Sequence, residues 1–395
     1  MTNEKENLNR RDFLSNVSLG ALGVGTMRLL GGTGSSLLAS CSKPSSDGKT
    51  SDNKLPRWRG FNYIDFSYSR SVMSDYKRLF TAEQEFKWFA DWGFNFVRIP
   101  LSYWGYVEYD TTSGKNITSD ETVIFREEAL EAIEQTVHAA HKYNLHVNLC
   151  LHRAPGFCIT DGAEREPFSL WWDEAAQQAF YTHWDMWAKR FKNVSPELLS
   201  FNLVNEPNLD DTPNRGEIYR KICEGCLDVI HQQTPDRLVL ADGRRCSRAV
   251  TPELMGLNIE QSFHMYEPHN LTHWDGTGLV PKWPGGTAYW SGGQFNVPFS
   301  REKMQEHLQP WIDLAKHGVG VHCGETGGFP PTPYEVYMAW LTDLLDILKG
   351  NNIGWALWYY RGGFGLLNGK ENGVQYENFY GRQLDRRLLT LLQNH

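Results

Sequence analysis

The sequence predicts an α/β fold, a (β/α)8 TIM barrel, as one catalytic-type domain over residues 55–395 with extended loops at the C-terminal face of its strands. Three observations predict it. Eight short apolar runs alternate with helix-period stretches over about 340 residues, within the usual size range of that fold. No internal repeat and no second linker divides them. Polar and charged residues recur where the runs end, although barrel interiors are normally lined by Val, Ile and Leu.

The strand-like runs are, in order, residues 57–63, 94–100, 145–152, 198–206, 237–243, 259–267, 319–325 and 353–360. Helical patterns lie between most of them. In REEALEAIEQTVHAAHKY, Leu130, Ile133, Val137 and Ala140 share one face, and Asn144 is placed to cap the end. TAEQEFKWFADWG opens with the capping-box residues Thr81 and Gln84 and closes on Gly93. Cys223 and Cys226 form C-x-x-C inside a helical segment, which reads as packing rather than as a redox motif.

Residues 1–41 read as an export signal and stay out of the fold. Arg10 and Arg11 precede Asp12-Phe13-Leu14, resembling a bacterial twin-arginine leader. A weakly apolar stretch then reaches Leu38-Ala39-Ser40-Cys41, which looks like a lipoprotein box with Cys41 as the lipidated residue. Residues 42–54 are a polar tether. The expectation is a domain exported across the bacterial inner membrane and lipid-anchored in the periplasm or at the cell surface, held at a membrane but not in it. A monomer is expected. The net charge of −8 argues against nucleic acid as a partner. The 13 histidines show no metal-ligand spacing, so no metal and no cofactor is expected.

Two carboxylates stand out at strand ends. Glu206 closes LLSFNLVNEP, and Glu325 follows GVGVHCG, where glycines leave it sterically open. Strands four and seven face each other across a barrel mouth. Two carboxyl groups about 5–5.5 Å apart can cleave a glycosidic bond with retention, one attacking while the other donates a proton. Glu325 then needs donors to stay ionised, with Arg98 or Tyr266 as candidates. Glu206 needs a raised pKa, from partial burial and the charge of Glu325. His264 and Tyr266, two apart, face one side of their strand. The plainer readings are a solvated strand-end Glu206, an ion-paired Glu325, a structural His152, packing roles for His264 and Tyr266, and Trp358 as core filler.

Seven segments in order, RGFNY, FNFVRIPLSYW, LHRAPG, LVNEP, HMYEP, GETGG and ALWYY, resemble the signature segments of glycoside hydrolase family five, the cellulase family. The resemblance runs from about residue 57 to about 393. It implies Glu206 as acid/base and Glu325 as nucleophile. It also implies Asn205 on the sugar 2-hydroxyl, Arg98 holding the nucleophile, His152 on the same sugar, His264 and Tyr266 beside the reaction centre, and Trp358 stacked beneath the ring. The expected activity is a retaining endo-β-1,4-glucanase acting on a β-linked polysaccharide or oligosaccharide. Mannan, xyloglucan or β-1,3-glucan are alternative substrates, and a silent carbohydrate-binding lipoprotein is the alternative of another class. Trp104, Trp171, Trp172, Trp274, Trp283 and Trp290 are candidate sugar platforms, and the Gly- and Trp-rich loop 273–298 a candidate cleft wall.

Overall fold

The computed structural model describes residues 53–67, 82–109, 115–160, 166–210, 212–290, 293–369 and 373–395, with the backbone alone within 286–298. The signal reading, Cys41, most of the tether and Thr81 lie outside the described residues.

All eight strand-like runs form strands: Arg59–Asn62, Phe96–Ser102, His146–Arg153, Leu199–Asn202, Leu238–Asp242, Glu260–Met265, Val321–Thr326 and Gly354–Leu357. Each pairs in parallel with the next, and the first pairs with the eighth, so the sheet closes into a barrel. Their apolar content is the content a strand covered on both faces requires. The approach of strands one and two is tight enough to demand a glycine. A Cβ on Gly60 would lie 1.8 Å from the Phe96 carbonyl oxygen.

Helices Ala82–Asp91, Glu127–His141, Glu174–Arg190, Pro213–Gln233, Arg301–Lys316, Tyr334–Gly350 and Arg386–Asn394 surround the barrel. Asn144 does end its helical region, in the left-handed conformation with φ 56°. Strand five is followed only by the short turns Arg244–Ser247 and Pro252–Leu254. Loop 273–298 holds part of an antiparallel hairpin, Gly286–Trp290 with Gly293–Phe299. Cys223 and Cys226 are buried in their helix, and burial pushes both thiols up.

The strand ends differ from expectation in two places. Strand four leaves the ladder after Asn202, so Asn205 and Glu206 stand on the loop above it. Strand two continues to Ser102, so Arg98 lies inside the barrel beneath the rim and not at the strand's end. The domain also begins earlier than residue 55. The Asn53 amide donates to the Val321 and Asn352 carbonyls at 3.0 Å and accepts from the Val321 N–H at 2.9 Å. Asn53 and Lys54 therefore belong to the barrel floor. Trp58, Phe96 and His146 stack beside them, with Trp58 and His146 centroids 3.8 Å apart.

Candidate active site

Arg98 is the buried anchor of the mouth. Its guanidinium donates to Asn62 Oδ1 at 3.0 Å, Asn202 Oδ1 at 2.9 Å, Asn205 Oδ1 at 2.8 Å and Glu325 Oε1 at 2.8 Å. A guanidinium suits this post because its planar fork serves several acceptors at once. Tyr266 donates to the other Glu325 oxygen at 3.2 Å. Both donors expected for Glu325 are thus in place.

Glu325 lines the cleft but is only 4% exposed, so the role of Gly324 is not to lay it bare to solvent. Gly324 makes room for strand six instead. A Cβ there would lie 2.6 Å from Ser262 Oγ and 3.3 Å from His264 Nε2. His264 thereby comes between the two glutamates, with Nδ1 2.7 Å from Glu206 Oε1 and 3.4 Å from Glu325 Oε2. One oxygen of each glutamate and a His264 nitrogen all lie within 4.8 Å of one another.

Asp242, at the end of strand five, completes the cluster and was not singled out from the sequence. It is fully buried. It accepts from Asn202 Nδ2 at 3.0 Å and from the Glu206 N–H at 3.1 Å, and lies 3.3 Å from His264 Nε2 and 3.5 Å from Arg98. The rule that strand ends carry the chemistry applied to RLVLADG as well. The bond to Asp242 holds Glu206 at φ 48°, a conformation that costs a non-glycine residue about 1–3 kcal/mol and that recurs at functional sites.

The charges follow from burial and neighbours. Burial opposes a charge on His264, but Glu325 and Asp242 outweigh it and raise the imidazole to about 10, so it is protonated at neutral pH. The spacing of the three groups would admit a metal ion only with that proton displaced. Burial raises the Glu325 carboxyl to about 7, against the pull of His264 and Arg98. Glu325 takes that penalty because only 5% of its side chain is exposed. Asp242 is held well below the carboxylate range despite burial, by His264 and then Arg98. Burial, with Arg98 and His264, lowers His152 to about 3 and keeps it neutral.

Above this cluster is a cleft of about 460 Å³ lined by His152, Tyr266, Phe329, Trp358 and Phe364 among others. Trp358 stacks on His152 at 5.6 Å and is half-buried, facing the cleft. Two buried polar atoms beside the cluster, Asn205 Nδ2 and His152 Nδ1, have no hydrogen-bond partner among the described residues. A buried orphan is costly unless a ligand satisfies it. The structure therefore brings together all eight residues singled out for the barrel mouth. Of the Trp candidates, Trp104 is buried under Arg153 and Trp171 is buried, while Trp172 is 54% exposed. Trp283 turns away to donate to Asp343 at 2.8 Å, and Trp274 donates back into its own loop at Thr277. His273 is the part of loop 273–298 that lines the cleft among the described residues. The Trp290 side chain lies outside them.

A family model described as Cellulase (glycosyl hydrolase family 5) matches residues 50–363. The chain belongs to that family. This family 5 chain is similar to Endoglucanase C of Acetivibrio thermocellus, 26% identical over 311 residues that cover 71% of this chain and 84% of that protein. Cellodextrinase A of Ruminococcus flavefaciens is 25% identical over 291 residues, 72% of this chain and 79% of its own length. A crystal structure of a glycoside hydrolase is 32% identical, with a TM-score of 0.74 over 86% of this chain and 99% of that one.

Proposed function

We propose that this chain is a retaining endo-β-glucanase of the cellulase type. One observation carries the reading: Glu206 and Glu325 present oxygens within 4.8 Å of each other at the floor of an open cleft. That gap fits direct attack by one carboxylate, because an inverting enzyme needs about 6.5–9.5 Å to admit a water between its two. Similarity to an endoglucanase supports β-glucan as the substrate and endo action.

The steps follow from the geometry. Glu325, steered by Arg98 and Tyr266, attacks the anomeric carbon while Glu206 gives its proton to the departing oxygen, and the glycosidic bond breaks. A glycosyl ester on Glu325 results. Glu206 then takes a proton from water, the hydroxide attacks the anomeric carbon, and the ester opens with the original β-configuration. Asn205 Nδ2 and His152 Nδ1, the two orphans, face sugar hydroxyls, and Trp358 lies under the ring. Charged His264 lies against both carboxylates and stabilises whichever one is ionised.

A panel of β-1,4-glucan, β-1,3-glucan, xyloglucan, β-mannan and aryl glycosides tests the substrate. The reading predicts that β-1,4-glucan has the highest kcat/KM. A higher value on mannan or β-1,3-glucan would move the specificity while leaving the mechanism, and no turnover of any would end both.

Export and lipid anchoring rest on the twin-arginine pattern and on Leu38-Ala39-Ser40-Cys41. Cys41→Ser should release the protein from the membrane fraction of expressing cells. A variant that still sediments with membranes removes the anchor.

A further inference from the structure

Glu325 has a close donor and a distant one. Arg98 reaches Oε1 at 2.8 Å, whereas the Tyr266 hydroxyl reaches Oε2 at 3.2 Å, past the usual range for an O–H···O bond. A small swing of the tyrosine ring would lose it. The ring is braced by two others. Tyr266 meets His273 edge-to-face with centroids 5.0 Å apart and Phe364 in the same manner at 6.2 Å, the geometry aromatic pairs prefer. His273 and Phe364 also pack together, at 5.5 Å. All three rings line the cleft.

Thr272 fixes the first brace. Its hydroxyl donates to the Tyr266 carbonyl at 2.5 Å and, with its one proton committed there, accepts from His273 Nδ1–H at 2.9 Å. The Thr272 carbonyl accepts from the Phe329 N–H at 2.6 Å, which ties this loop to the one after strand seven. Phe364, on the loop after strand eight, is the second brace. It has φ 68°, an outlier for a bulky residue that persists only where the surroundings impose it. The turn is closed by bonds from Gly362 N–H to the Leu367 carbonyl at 2.7 Å and from Gly365 N–H to the Gly362 carbonyl at 3.0 Å. Arg361 anchors its base, donating to Glu85 Oε1 at 3.0 Å and to Asp65. Room for the ring comes from Gly327, two residues past Glu325, where a Cβ would lie 3.1 Å from Phe364 Cδ1. Strain and a cleared space thus converge on one ring beside the reaction centre, as they do where a conformation serves the chemistry.

We infer that Phe364 is a positioning residue: together with His273 it fixes the Tyr266 ring so that the hydroxyl stays on Glu325 while that carboxylate attacks. The inference rests on Glu325 as the nucleophile, and Phe364 acts on it only through Tyr266. The rival role for a ring in a cleft is a sugar platform. The two differ in what they change, since a platform holds the substrate whereas a brace sets the rate of attack.

The test uses dinitrophenyl β-cellobioside, whose leaving group departs without a proton from Glu206. Single-turnover release of dinitrophenolate, with protein in excess, therefore reads attack by Glu325. Phe364→Asn removes the ring yet suits the left-handed backbone, which Asn adopts readily. Its maximal rate should fall about tenfold, with the half-saturating protein concentration within about twofold of wild type. Phe364→Tyr, which keeps the ring, should recover most of the loss. In the Tyr266→Phe background, which has no hydroxyl to misplace, Phe364→Asn should lower the rate no further. An unchanged rate, a change confined to the half-saturating concentration, or equal losses in both backgrounds overturns the inference. Crystal structures of the variants keep it distinct from the hydrolase reading. In Phe364→Asn the Tyr266 hydroxyl should lie more than about 3.5 Å from Glu325 Oε2, outside bonding range. If wild-type protein releases no dinitrophenolate, the hydrolase reading fails, and this displacement alone upholds the brace. A hydroxyl still on Glu325 in that variant overturns it.

Discussion

Glu325 must be ionised to attack, yet it lies where burial raises its carboxyl to about 7. An acid with that pKa carries its charge only above it. The sign is therefore fixed: kcat/KM, which reports groups of the free enzyme, should climb as pH rises through about 7 and fall about tenfold per unit below it. An acid limb centred near 4.5, the ordinary value of a Glu, would contradict this. Glu325→Ala should lower kcat by roughly a thousandfold or more with the fold intact, and a variant keeping a tenth of the activity would remove the nucleophile assignment. Asp242 acts one step back. Asp242→Asn keeps the shape but takes a counter-charge from buried His264 and Arg98, a loss worth about 3–5 kcal/mol where a buried pair is broken. The His264 ring should then lose its proton well below pH 10, by NMR titration, and an unmoved titration would show that Asp242 does not hold it charged. Because the Asp242 carboxyl is depressed below 3.8, the stability it contributes is present above that pH and lost as pH falls.

At the scale of elements, the eight strands were legible because each is a buried run bounded by turn residues and followed, with one exception, by a helical period. That exception shows what local pattern omits. The stretch after strand five forms only short turns, and its Cys246 and Arg248 line the cleft. The hairpin in loop 273–298 was not foreseen either, since Gly-rich sequence leaves register undetermined. The aromatic excess proved to be partly structural. Trp184, Trp187, Trp311, Trp340 and Trp355 are fully buried, and exposure among tryptophans depends on tertiary neighbours that spacing does not reveal. Asn53 was read as tether because polar residues signal linkers, whereas its amide answers backbone groups of strand seven. Each such bond contributes about 1 kcal/mol. A chain beginning at Leu55 should therefore melt a few degrees below one beginning at Asn53, by calorimetry. Equal melting temperatures would mean that the floor closes without it.

Across the whole molecule, the barrel does one thing that no segment does alone. It brings residues from seven of its eight strands, or the loops just above them, to one polar cluster, although Glu206 and Glu325 are more than a hundred positions apart in sequence. Arg98, Asp242 and His264 fix the spacing from below, and the cleft lined by Trp358 lies above. The identity of the cluster was readable because catalytic groups concentrate at the strand ends of this fold. The distribution of charge within it was not, because depth of burial is a property of the folded chain.

Everything chemical follows from the two acids being too close to admit a water between them. Proton NMR of a β-linked substrate in the first minutes of cleavage tests that most directly, before mutarotation mixes the anomers. The new reducing end should appear as the β-anomer and only later equilibrate. An α-anomer appearing first would mean that water attacks directly, and Glu325 would not be a nucleophile.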